Sequence, residues 1–128
     1  MTTIDHAALY CTDLERTRLF YETFFDGVAG DRYHNPRTGL QTYFLTFSGG
    51  ARLEVMVRPE LTENLLKAST VGWSHVAFSV KSIGAVDQLT TRLQDAGFSI
   101  VSGPRTTGDG YYESCVLDPD GNLVEITV

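Results

Sequence analysis

Nowhere in this sequence do apolar residues run on for the roughly 20 positions that a membrane-crossing helix requires. Cysteine is scarce too: Cys11 and Cys115 form no C-x-x-C pair and are too few for a disulfide framework, which agrees with a reducing compartment. They read as small, partly buried residues on strands. Positive charge is in deficit, with 10 Lys and Arg against 16 Asp and Glu, a formal charge of −6 and a pI near 4.9. Such a surface repels phosphate backbones and anionic headgroups, which argues against nucleic acid and membranes as partners. Met1-Thr2-Thr3-Ile4-Asp5 carries neither the basic nor the apolar segment of a signal peptide, so a cytoplasmic location is expected. No Ser or Cys stands in a nucleophile-elbow setting, and Ser48-Gly49-Gly50 and Gly108-Asp109-Gly110 lack the strand-to-helix context of a phosphate loop. What is present is ordinary globular material, 42% hydrophobic and 20% charged over 128 residues, the size of one domain.

Periodicity divides that length into two similar halves. Residues 4 to 10 alternate as a strand, and Thr12-Asp13-Leu14-Glu15 supplies a capping box for an amphipathic helix to about Phe25, stopped by Gly27 and Gly30. A polar loop over residues 31 to 39 carries His34, which has no counterpart elsewhere and reads as an exposed loop residue. Strands follow at 41 to 47 and 52 to 57, joined at Ser48-Gly49-Gly50. Residues 59 to 68 suit a short helix, and Ser69-Thr70-Val71-Gly72 leads to a strand over 73 to 80. Ser82 then caps a helix with Val86, Leu89, Leu93 and Ala96 on one face and Gly97 as its stop. Strands at 98 to 101, 111 to 117 and 123 to 128 complete the chain, the last two joined by the turn Asp118-Pro119-Asp120-Gly121. The expected organisation is one domain over 1–128, with a first module at about 1–58, a linker at about 59–71 and a second module at about 72–128.

Superimposing the halves aligns Asp5-His6-Ala7-Ala8 with Ser74-His75-Val76-Ala77, and Arg52-Leu53-Glu54-Val55 with Leu123-Val124-Glu125-Ile126. Strand side chains alternate between faces, so Leu53 and Val55, Val76 and Phe78, and Val124 and Ile126 form apolar sets. His6, Glu54, His75 and Glu125 all fall on the opposite face. A lone strand His or Glu is usually structural or solvated; the same pair recurring in both halves, always away from the core, favours a metal site. Neighbouring strands are about 4.8 Å apart and donors must approach a transition metal to roughly 2.0–2.2 Å, which imidazole and carboxylate on adjacent strands can satisfy. Two His and two carboxylates suit one divalent ion per site, with Zn, Ni or Co favoured and Mn or Fe also compatible.

These segments resemble the vicinal oxygen chelate superfamily, which groups glyoxalase I, bleomycin-resistance proteins and ring-cleaving dioxygenases. The resemblance rests on Ile4-Asp5-His6 before the capped helix, on Gly72-Trp73-Ser74-His75-Val76-Ala77-Phe78, and on Asp118-Pro119-Asp120-Gly121-Asn122-Leu123-Val124-Glu125-Ile126. It implies an α+β fold of two tandem βαβββ modules whose curved, mainly antiparallel sheet cradles a metal, and a homodimer in which subunits share sites. Within the group, His6, Glu54, His75 and Glu125 match the four-ligand set of bacterial glyoxalase I. The reaction implied is a proton shift between adjacent carbons of a 2-oxoaldehyde hemithioacetal through an enediolate, with Glu125 as base and Glu54 second. Glutathione users in the family commonly carry an Arg four residues after the first ligand and an Asn four after the second; here Tyr10 and Arg58 stand there, which puts glutathione recognition in doubt. Tyr10, Arg58 and Trp73 are the expected substrate contacts, although Arg58 also reads as a plain surface residue. The alternatives are a metal-free drug-binding protein using Trp73, Tyr10 and Phe44, and an acyl-thioester epimerase.

Overall fold

A computed structural model describes residues 1–61 and 71–128 of the chain. Contacts divide the chain into two compact units, Met1–Leu65 and Leu66–Val128, and the described residues of each form a mainly antiparallel curved sheet with one helix against it. The α+β class that the family resemblance implies is the one observed. The helix expected over 59 to 68 lies largely outside the described residues.

In the first unit, β1 (His6–Tyr10) leads into α1 (Leu14–Phe25), followed by β2 (Val28–Ala29), β3 (Tyr33–His34), β4 (Gln41–Thr46) and β5 (Arg52–Val57). The sheet order is β1-β5-β4-β2, with β3 also pairing β4; β1 and β5 are parallel, the rest antiparallel. Helix α1 buries Leu14, Thr17, Phe20, Tyr21 and Phe25, a stripe at helical spacing that meets Leu45, Leu53 and Val55 of the sheet. Its cap differs from the sequence expectation. A capping box would make Thr12 the cap, but Asp13 takes that place in extended conformation and accepts from the Arg16 amide at 3.0 Å. Thr12 Oγ1 instead accepts from the Arg16 guanidinium at 2.9 Å. Aspartate caps as well as threonine does, and its charge gains from the helix dipole. The polar stretch 31 to 39 also holds more order than expected, because Tyr33 and His34 pair with Thr42 and Gln41. His34 is exposed there as predicted, but on a strand.

The second unit runs β6 (His75–Ser79), α2 (Ile83–Asp95), β7 (Ile100–Thr106), β8 (Tyr112–Leu117) and β9 (Leu123–Thr127), in sheet order β6-β9-β8-β7. Ser82 caps α2, accepting from the Ala85 amide at 3.1 Å. The buried face of α2 is Val86, Leu89, Thr90 and Leu93, so Thr90 occupies the place expected of Ala96, which is the exposed C-cap. Strand β7 extends well past the predicted 98–101. Gly103-Pro104 halts a pattern reading, yet the strand continues through register irregularities at Ser102 and Arg105. Cys11 is buried just beyond β1 and Cys115 is half-buried on β8, neither in a disulfide.

Burying Thr90 requires a partner for its hydroxyl. Thr90 Oγ1 donates to the Val86 carbonyl at 2.7 Å, which leaves it to accept from Ser114 Oγ, also at 2.7 Å. Both residues are buried. Thr90→Val keeps the volume but strands the Ser114 hydroxyl, so we expect about 1–3 kcal/mol of lost stability by denaturant melts, recovered in part by adding Ser114→Ala.

Candidate metal centre

The strand registers of the two units are superimposable at the residues that matter. His6 opens β1 opposite Arg52, and Ala8 faces Glu54 of β5; His75 opens β6 opposite Leu123, and Ala77 faces Glu125 of β9. In each unit a histidine and a glutamate therefore sit on neighbouring parallel strands two residues out of step, on the sheet face opposite the helix. Alternation enforces this, because Leu53, Val55, Val124 and Ile126 are buried against the helices and turn the glutamates the other way. The turns before β5 and β9 set the register. Gly50 and Gly121 adopt φ of 78° and 83°, and Asp118 accepts from the Asp120 and Asn122 amides at 2.9 Å each.

In the first unit His6 Nε2 lies 4.0 Å from Glu54 Oε1; in the second, His75 Nε2 lies 3.2 Å from Glu125 Oε2. Two donors each roughly 2.1 Å from one ion stand about 3.0–3.4 Å apart at octahedral or tetrahedral angles. The second pair already has that separation. The first stands wider than that, and in both units imidazole with carboxylate is a donor set that suits a divalent cation. Among the described residues no group of three or more His, Cys, Asp or Glu side chains is gathered around one point. Each unit supplies a pair.

The outer ring nitrogens are held differently. His6 Nδ1 is 2.8 Å from Asp5 Oδ2, whereas His75 Nδ1 is 3.0 Å from Ser74 Oγ. The hydrogen bond from His6, and then that from Arg52 with its charge, hold the Asp5 carboxyl below the usual range. On the second unit's open face, sequence reasoning misses Glu113. Its carboxyl is pushed above the ordinary range, first by a hydrogen bond with Glu125, then by burial and the Glu125 charge. Strand parity places it with Cys115, whose thiol burial pushes up, and Cys115 stands directly opposite Glu125.

Of the expected substrate contacts, Tyr10 and Arg58 come together. Arg58 donates to the Tyr10 hydroxyl at 3.4 Å and its guanidinium lies 5.7 Å from the ring centroid, while Glu60 accepts from Arg58 Nε at 3.0 Å. Tyr10 shares the face of His6. Trp73 lies just ahead of β6 and is fully exposed. Phe44, opposite Glu54 in the β4–β5 register, meets the His6 ring edge-on at 5.2 Å.

Comparison with known proteins gives a consistent picture. The family profile described as Glyoxalase/Bleomycin resistance protein/Dioxygenase superfamily matches residues 3–126. An uncharacterized protein of Pseudomonas aeruginosa is 34% identical over 98% of this chain and 87% of its own length. Among solved structures, a glyoxylase/bleomycin resistance protein/dioxygenase domain from Frankia sp. matches with a TM-score of 0.84 at 20% identity, over 100% of this chain and 98% of that one. The trypanothione-dependent glyoxalase I of Leishmania major matches with a TM-score of 0.79 at 19% identity, over 99% and 86%. These two structural likenesses show the fold.

Proposed function

Because the chain belongs to the glyoxalase/bleomycin resistance protein/dioxygenase superfamily, we propose that it is a glyoxalase I-like, metal-dependent lyase acting on a small oxygen-chelating substrate such as a 2-oxoaldehyde hemithioacetal. The observation that carries this reading is the repeated pair, His6 with Glu54 and His75 with Glu125, in the same register on the open face of each sheet. A metal-free binding protein has no use for it. His6, Glu54, His75 and Glu125 would together hold one divalent ion, with zinc, nickel or cobalt favoured by the donor types. Such an ion supplies Lewis-acid stabilisation of negative charge developing on substrate oxygen.

The remaining chemistry falls to the chain's own groups. Glu125 takes the proton from one substrate carbon and returns it to the next, and Glu54 stands second for that task. Tyr10 and Arg58 orient the substrate from the edge of the first unit's face, and Trp73 offers an apolar surface from the second. Among the described residues both His-bearing strands are sheet edges with exposed residues, and such edges pair readily with strands of another chain. A homodimer that shares two sites between its subunits, each chain forming one domain of two modules, fits that arrangement.

Elemental analysis of protein purified without chelator is expected to find close to one divalent ion per chain. Turnover of methylglyoxal with a panel of thiols then tests the reaction. Metal-bearing protein that yields no thiol-dependent product would discard the glyoxalase reading, and metal-free protein that binds an aromatic drug tightly would favour sequestration.

A further inference from the structure

The two histidines stand in equivalent places but in different surroundings. Around His6 the contacts close into a ring. Asp5 Oδ2 accepts from His6 Nδ1 at 2.8 Å and from the Arg52 guanidinium at 2.6 Å. Arg52 lies over the Phe44 ring, 4.4 Å from its centroid, and Phe44 returns to the His6 ring edge-on at 5.2 Å. The backbone reinforces this, since the Arg52 amide donates to the Asp5 carbonyl at 2.9 Å. None of the three partners is repeated in the second unit, where Ser74, Leu123 and Cys115 occupy the places of Asp5, Arg52 and Phe44.

Resting on the metal reading above, we propose that Asp5, Arg52 and Phe44 form a positioning cage that locks His6 in the tautomer protonated on Nδ1, and that His6 is thereby the stronger of the two imidazole ligands. A carboxylate only accepts, so the proton must sit on Nδ1 and the lone pair on Nε2, the nitrogen that faces Glu54. Arg52 fixes the carboxylate in place and offsets its charge. Phe44 packs edge-on against the ring and favours this orientation about the Cβ–Cγ bond. A serine hydroxyl both donates and accepts, so Ser74 imposes no such choice on His75. Carboxylate partners of this kind orient a ligating imidazole and raise its basicity, and losing one typically lowers metal affinity about 10–100-fold. The ion pair itself is exposed, with Asp5 at 71% and Arg52 at 41% side-chain exposure, so its contribution to stability is small and its removal spares the fold.

The test uses the full chain in two measurements. Imidazole nitrogen chemical shifts of metal-free protein, taken at a pH where the rings are neutral, report the tautomers directly. His6 is expected as the Nδ1-protonated form in the parent, to lose that preference in Asp5→Ala, and to lose part of it in Arg52→Leu; Ser74→Asp is expected to impose the same form on His75. Competition of Zn²⁺ against a chelating dye then reads affinity, expected to fall about 10–100-fold in Asp5→Ala and far less in Ser74→Ala. A parent that binds Zn²⁺ while Asp5→Ala keeps both the parental tautomer and the parental affinity overturns this inference alone. A parent that takes up none of Zn²⁺, Ni²⁺ and Co²⁺ overturns the metal reading and this inference together.

Discussion

Glu125→Gln is expected to lower kcat by about 10²–10⁴-fold while the purified protein keeps its metal. Glutamine preserves the length and an oxygen able to face an ion, but it cannot accept and return a proton at the working pH. Losing general base catalysis therefore appears in turnover and not in metal content. Of the two glutamates, Glu125 has the shorter approach to its histidine, 3.2 Å against 4.0 Å, and a second carboxyl, that of Glu113, hydrogen-bonded to it. Glu54→Gln made in parallel decides between them. Unchanged turnover in Glu125→Gln with a large loss in Glu54→Gln would move the base to the first unit; loss of metal in either would show that the carboxylate charge is needed for binding.

Replacing either histidine has the other large expected effect. We expect His6→Ala and His75→Ala each to bring the metal content down to background, not to half. Among the described residues each unit contributes two of the four candidate ligands, one imidazole and one carboxylate, whereas zinc sites draw on three or four protein ligands. If all four residues serve one ion, removing either imidazole weakens the whole site and not one half of it, enough for the ion to be lost during purification. If each pair held an ion of its own, each variant would retain the ion of the intact unit, and elemental analysis finding half the parental metal would overturn the shared centre.

The strands carrying the two candidate glutamates are legible in the sequence because alternation is unambiguous there. Leu53-Glu54-Val55 and Val124-Glu125-Ile126 each flank a carboxylate with residues that must be buried, which leaves the glutamate no other direction. Helix α2 is equally plain from Ser82 and the spacing of Val86, Leu89 and Leu93. Legibility fails where the cues are local and polar. Tyr33-His34 pairs with β4 through backbone groups that leave no hydrophobic signature, and Thr12 and Asp13 are both good caps, so only geometry selects between them. Glu113 escapes notice because its neighbours Tyr111 and Tyr112 already identify a strand and nothing in the repeat points to it. The cage around His6 is partly visible in sequence, as Asp5 adjoins His6, but Arg52 joins through β1–β5 register and Phe44 through β4–β5 register, which pairing alone reveals.

The histidines occupy the outermost strand of each sheet: among the described residues, β1 pairs only with β5, and β6 only with β9. A strand supported on one side frays more readily than one clamped on both, so support along its outer rim would steady the imidazole it carries. Where a second copy provides that support, ion retention and self-association become linked by mass action. Dilution then loosens the ion, and chelation loosens the assembly.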